Sequence, residues 1–258
     1  MSRVQKDWSQ VRAECTVYAD DAVLALNKPA GISVTGERHD TDLVELAAAA
    51  GTRLYPVHRI DKVTSGLVLL ATDLAAHGPL TRQFTKQTAA KTYLAVVHGD
   101  GLPDTGVVEL PLSVGRKNRV RIAAPREAIR RDGDRWFADE ADLLPTKNYP
   151  SRTEFATLAR FGDRAVLALR PVTGRRHQLR VHLAWIGHAI LGDPLFDRTG
   201  GFARTHLHSW RLRLDAGWRT PPELALAAEP GADFWTPLPE DADPAALLAA
   251  AGRAFPDR

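Results

Sequence analysis

The stretch "HRIDKVTSGLVLLA", residues 58–71, ends in a short apolar run at 67–71. Thr64, Ser65 and Gly66 form a turn signal just before it, so the run is predicted as a buried strand. One carboxylate, Asp61, stands before the turn, with His58 and Arg59 on one side and Lys62 on the other. A carboxylate beside cations stays ionised, because opposite charge lowers its pKa. That state suits a nucleophile better than a general acid. Ser65 lies in "TSG", outside the G-x-S-x-G setting of a nucleophilic serine. Its expected job is to hydrogen-bond the tight turn.

Outward from this stretch, residues 1–14 read as a polar lead-in and 15–258 as a single domain. "TVYADDAVLALNKPAGISV" carries a strand over 23–26 and a Pro-Gly turn at 29–31. A short helix is expected within 40–51, with Asp42 and Glu45 as a capping box and Gly51 past its end. Leu80 and Phe84, four apart, predict a helix over 79–88. "KTYLAVVHG" reads as a strand. "SVGRKNRVRI" predicts a basic hairpin arm at about 112–122, with Arg116, Lys117, Arg119 and Arg121 as its cations. The polar stretch at about 127–150 reads as a surface insertion with the composition of a mobile segment. Two antiparallel strands are predicted around a turn at 161–163. "GRRHQLRVHLAWIGH" opens a helix with Leu179, Leu183 and Ile186 on one stripe, and a terminal helix is expected near 245–251. Strands and helices mix without a βαβ rhythm, which argues an α+β fold with a largely antiparallel sheet.

Composition bounds the partners. The chain has 258 residues, of which 27 are Arg against 7 Lys. Guanidinium forks match phosphate geometry better than ammonium does, so the bias fits a nucleic-acid partner; it fits a GC-rich coding bias equally well. The single cysteine, Cys15, allows no disulfide within the chain and fits a reducing cytoplasm. The charged N-terminus lacks the apolar core of a signal peptide. No run approaches the roughly 20 apolar residues of a spanning helix, so no membrane partner is expected. There is no Gly-rich phosphate loop. His177 and His182 are five apart, a poor spacing for a shared metal, so neither metal nor cofactor is expected. Arg176 and Arg180, four apart, are predicted to share a helix face with Arg175 nearby and to reach one anion together. Tyr93 sits on an apolar strand, where composition alone favours core packing.

Taken in order, these blocks resemble RNA pseudouridine synthases of the RluA type. "HRIDKVTSGLVLLA" resembles that family's H-R-L-D-x-x-T-S-G-L-L-L-x-A. "NKPAGISV" is similar to N-K-P-x-G-x-x-V, and "KTYLAVVHG" to K-x-Y-x-A-x-V-x-G. "GRRHQLRVHLAWIGHAILGDPLF" resembles G-R-T-H-Q-L-R-V-H through the G-x-P-I-x-G-D segment, and "THLHSWRLRL" the closing L-H-A-x-x-L. Ile60, Arg176 and Ala189 depart from the family's usual Leu, Thr or Ser, and Pro. The resemblance implies a catalytic domain with a central, mainly antiparallel mixed sheet flanked by helices, and a cofactor-free isomerisation of uridine to pseudouridine. It implies Asp61 as nucleophile, Arg180 as its partner, and Tyr93 packed on the uracil. The target base is expected to leave its stack, with Arg59 gripping or replacing it and His58 beside it. Arg116, Lys117, Arg119, Arg121, Arg175 and Arg176 are expected to contact a ribosomal or transfer RNA stem-loop. No separate RNA-binding domain is read before residue 18, and no obligate protein partner is evident. Two other readings compete: a non-catalytic RNA-binding or RNA-folding protein on the same fold, and a base-excising or glycoside-cleaving enzyme. The hydrolases usually need two carboxylates, and Asp193 in "LGDP" reads as a turn or structural position.

Overall fold

The computed structural model describes residues 7–36, 42–99 and 101–255. In chain order the elements are α1 (Trp8–Cys15), β1 (Thr16–Ala19), β2 (Val23–Lys28), α2 (Leu43–Ala49), β3 (Tyr55–Pro56), β4 (Ser65–Ala71), α3 (Leu74–Lys86), β5 (Ala90–His98), β6 (Thr105–Glu109), β7 (Leu112–Val114) and β8 (Val120–Ile122). They continue with β9 (Arg130–Asp132), β10 (Arg135–Phe137), β11 (Asn148–Tyr149), β12 (Thr153–Phe161), β13 (Arg164–Pro171), α4 (Gln178–Trp185), β14 (Leu207–Asp215), β15 (Glu223–Ala227), α5 (Ala232–Trp235) and α6 (Pro244–Ala254). Read from sequence as one domain, the chain groups into two compact units. One runs to Lys91 and includes His208–Pro230; the other holds Thr92–Leu207 and Gly231–Arg258.

The first unit is built on β4, whose seven residues are all buried. Each fully buried Leu of this run (Leu69 and Leu70 among them) contributes roughly 2 kcal/mol of apolar burial. β2 pairs antiparallel along one edge of β4, from Val23 opposite Ala71 to Lys28 opposite Gly66. The other edge takes β3, antiparallel, and the start of β14, parallel. Gly66 makes that approach possible. Its φ is +104°, and a Cβ there would stand 2.2 Å from the Ser209 carbonyl oxygen. The lead-in proves to hold helix α1, whose Trp8, Val11 and Cys15 are buried. Three apolar residues in a polar stretch were too few to announce it. In α2, Asp42 caps Glu45 N–H as expected, and Gly51 follows with φ +75°. Helix α3 starts earlier than predicted, because Asp73 caps it, and it carries Pro79 inside.

The second unit holds the strand order β5-β13-β12-β6-β10-β9, antiparallel except for β6 with β10. Leu179, Val181 and Leu183 of α4 join Val97, Phe155, Leu167 and Leu169 in its core. The β12–β13 hairpin turns at Gly162, as expected. Residues 127–150, read as a surface insertion, are partly built into the sheet. Their β9–β10 hairpin extends the sheet, and Trp136 is buried against Phe155, ring centroids 5.7 Å apart. Every residue of the edge strand β9 is exposed, and its charges guard that edge against further pairing. A separate three-stranded sheet, β11-β7-β8, contains the predicted arm. Across both units the architecture is α+β, with mainly antiparallel strands and flanking helices.

Candidate active site

Asp61 lies in a turn closed by its own carbonyl, which accepts from Thr64 N–H at 3.0 Å. The next carbonyl, of Lys62, accepts from Gly31 N–H at 2.7 Å. Lys28 completes the clamp. Its side chain is fully buried, and Nζ donates to the carbonyls of Pro29 (2.9 Å), Ile32 (2.8 Å) and Lys62 (3.4 Å). A buried ammonium is tolerable only when its protons are bonded, and here they bind the 29–32 and 61–64 loops together. Asp61 itself is half-buried.

Two histidines secure the flanks of this turn. His58 Nε2 accepts from Leu69 N–H at 2.9 Å, and its ring stacks on Phe84 at 4.4 Å. Burial, and next the charge of Lys91, hold its pKa at about 3. His58 is therefore neutral, with one ring nitrogen committed to β4. Arg59, next to it, is exposed. On the far side, Ser65 Oγ lies 2.8 Å from His208 Nδ1, and His208 Nε2 lies 2.8 Å from the Ala228 carbonyl. A carbonyl only accepts, so Nε2 carries the proton and Ser65 donates to Nδ1. Ser65 thus ties the turn to β14 rather than only closing it locally.

Arg180 belongs to the second unit. Its Nε and Nη2 fork onto Asp193 at 2.6 and 2.8 Å, with both side chains buried. Asp193 also accepts from Leu195 N–H at 2.9 Å, so it is structural, as read. Helix α4 begins at Gln178, later than expected, after His177 in a left-handed conformation without a side-chain cap. The Gln178 side chain instead ties the segment before the helix to the start of β12. Its Oε1 accepts from Arg175 N–H and Thr173 Oγ, while Nε2 donates to Arg152 O and Thr153 Oγ. Arg176 therefore lies outside the helix and does not share a face with Arg180, which corrects the shared-anion reading. Instead, Arg176 bonds the carbonyl and side-chain oxygen of Asn118 at the arm's tip. Arg175 stands over the Tyr149 ring at 5.5 Å, with Lys147 at 5.4 Å. Arg116, Lys117, Arg119 and Arg121 are exposed on the arm.

Tyr93 is half-buried on β5, opposite Leu169, and packs against the second unit's core. His182 is fully buried between Thr153 Oγ and the Leu110 carbonyl, both 2.9 Å away. Burial outweighs the Leu110 bond and lowers its pKa to about 4. Among the described residues, no three His, Cys, Asp or Glu side chains gather as a metal would need. No helix among them is long and apolar enough to cross a membrane.

Lys28, Gln178 and His208 were quoted within motifs but given no role. The signal was available: a lysine closing the apolar strand "VLALNK" must find partners if that strand is buried.

Comparison with known proteins agrees with the motifs. Residues 22–185 match the family model described as RNA pseudouridylate synthase. The dual-specificity RNA pseudouridine synthase RluA of Escherichia coli K12 is 34% identical over 184 residues, 70% of this chain and 75% of the relative. The uncharacterized RNA pseudouridine synthase YlyB of Bacillus subtilis is 34% identical, over 87% of this chain and 69% of its own. Ribosomal large subunit pseudouridine synthase D of Nitrosomonas europaea is 33% identical, over 77% and 57%. The solved structure of human RNA pseudouridylate synthase domain containing 4 shares the fold, with TM-score 0.69 and 23% identity over 96% of each chain. The matched segment 22–185 carries the motifs with Asp61, Tyr93 and Arg180, and the chain belongs to the RNA pseudouridine synthases, enzymes that isomerise uridine in RNA.

Proposed function

We propose that this synthase acts on a uridine in structured ribosomal or transfer RNA, with Asp61 as its nucleophile and the target base flipped out of its stack. Uracil leaves the ribose at N1 and rejoins it through C5. C5 gives up a proton and N1 ends with one, so nothing is consumed and no cofactor is required. The observation that carries this reading is the setting of Asp61: a half-buried carboxylate on the first residue of a turn whose backbone is clamped by Lys28. A rigid base under a short side chain favours a near-attack geometry. Arg180 would keep the carboxylate ionised, and Tyr93 would pack on the uracil and accept the C5 proton. Flipping costs a few kcal/mol, offset by contacts to the extruded nucleotide. Exposed Arg59 is placed two residues from Asp61 to make one of them. The arm cations Arg116, Lys117, Arg119 and Arg121, with Arg175, would bind phosphates and weaken as salt rises.

Pseudouridine and uridine have equal mass, so the test follows the hydrogen. Ribosomal and transfer RNA labelled with tritium at uracil C5 is incubated with wild type and with Asp61→Asn. Wild type releases tritium to water. The variant loses on the order of a thousandfold or more in rate, as removed nucleophiles do, while still binding RNA. Full release by a folded Asp61→Asn protein overturns the assignment.

A further inference from the structure

Among the described residues two lysine or arginine side chains are buried, Lys28 and Arg180, and both are bonded: one to three carbonyls, the other to Asp193. Lys91, at the start of β5, is the contrast. It is half-buried, and among the described residues its ammonium makes no hydrogen bond and no ion pair. Burial alone holds its pKa below the ordinary lysine value, with no opposite charge to offset it. Its position is also defined. It lies on strand β5, two residues before Tyr93, and its charge bears on His58, three residues before Asp61. A partly desolvated ammonium without an acceptor costs free energy that a carboxylate or carbonyl would recover. Among the described residues such acceptors meet Lys28 and none meets Lys91. A local rule broken without compensation among the described residues points to a place where the compensation arrives from outside.

We propose that Lys91 is the seat of an RNA phosphate next to the target uridine, left without an acceptor among the described residues so that the RNA completes it. The inference rests on the RNA-isomerising reading above. Lysine suits this role, because its compact ammonium serves one phosphate oxygen as a point charge, where a guanidinium fork takes two. The choice is telling in a chain with 27 Arg and 7 Lys.

Stability and binding should therefore move in opposite directions. Lys91→Met removes an uncompensated charge, so the free protein melts at the same temperature or higher. RNA binding weakens on the order of tenfold, as expected for a lost charged hydrogen bond. The slope of log Kd against log salt falls by about 0.7 to 0.9, the value of one phosphate contact. Lys91→Arg keeps the charge and restores the slope. Lys86→Met, which removes an exposed charge at the end of α3, changes neither. Binding of the RNA pool that wild type isomerises is measured from about 50 to about 200 mM salt, beside thermal melts without RNA. Lys91→Gln replaces the methionine variant if that one fails to fold. An unchanged slope overturns the proposal, whether the melting temperature holds or falls; a fall would make Lys91 a structural residue. A loss confined to kcat overturns it too. If wild type binds RNA but releases no tritium, the reading of the function fails, while the slope still decides the seat.

Discussion

The turn that carries Asp61 and the helix start that carries Arg180 are held in opposite ways. Around Asp61 the bonds grip main chain: Lys28 Nζ takes the carbonyls of Pro29, Ile32 and Lys62, and Thr64 N–H takes that of Asp61. Around Arg180 they grip the side chain's head, through the fork onto Asp193. The difference follows from length. An aspartate carboxylate sits one carbon from the backbone, so fixing the backbone nearly fixes the group. An arginine head hangs on a long flexible stem, and holding it still costs up to about 2 kcal/mol of rotamer entropy. That cost is offset only by a partner at the far end. An aspartate and an arginine therefore call for different kinds of support.

Asp193→Asn tests the second support and has the largest expected effect on stability. It leaves the buried Arg180 charge without its fork, which should destabilise the protein by about 3–5 kcal/mol in denaturant titration. Replacing both partners, Arg180→Met with Asp193→Leu, should recover most of that stability and none of the isomerisation. A double variant as unstable as the single one would mean that the two side chains do not act as a pair.

Lys28→Met tests the first support. Buried carbonyls lose their donor, at a cost of about 2–3 kcal/mol. Because the clamp sets the Asp61 backbone and touches no RNA, kcat should fall on the order of tenfold with KM unchanged, as for lost positioning. A change confined to KM would break the comparison, since it would place Lys28 on the substrate.

Acid should loosen both supports through their histidines. His182 has a folded pKa of about 4, below its ordinary value, and His58 about 3. The unfolded chain therefore binds more protons across this range. The stability these neutral rings contribute is complete above about pH 6.5 and is lost as pH falls toward the folded values. For His182 the loss by pH 4 is on the order of 3 kcal/mol. Glu154 adds a later decline below its ordinary pKa. Burial would raise its pKa, but the bonds from Arg170 and Arg152 outweigh burial and lower it. Melting temperature against pH should show the histidine limb first, and His182→Gln should flatten it. A curve level from pH 7 to about 4.5 would mean that the rings are not neutral holdfasts.

Sequence reading succeeded where one residue's chemistry decided the matter. A turn signal before an apolar run marked β4, and Leu80 and Phe84, four apart, marked α3. It fell short where the answer lay across the chain. Ser65 meets His208, 143 positions away, and no local pattern joins them. Residues 127–150 read as loose because their buried anchor, Trp136, finds its partner Phe155 in β12. The spacing of Arg176 and Arg180 suggested a shared face, but His177 turns left-handed between them and the helix begins one residue later.

Arg176 gives the smallest effect and bears on the same comparison. At the arm's tip Lys117 and Asn118 both have positive φ, 55° and 59°, a strained conformation for lysine. Arg176 reaches across to the carbonyl and side chain of Asn118. This is again a long side chain bound at its head, now serving to hold the arm and its cations in place. Arg176→Thr, the residue more usual in the family, removes a largely solvated contact, so stability should change by less than about 0.5–1 kcal/mol. RNA affinity should fall about two- to threefold, because a looser arm must be ordered on binding. The salt slope separates two roles. If it stays at the wild-type value, Arg176 orients the arm and leaves the phosphates to its neighbours. If it drops by nearly a full contact, Arg176 itself binds phosphate, and the arm's fastening to Asn118 is given up when RNA arrives.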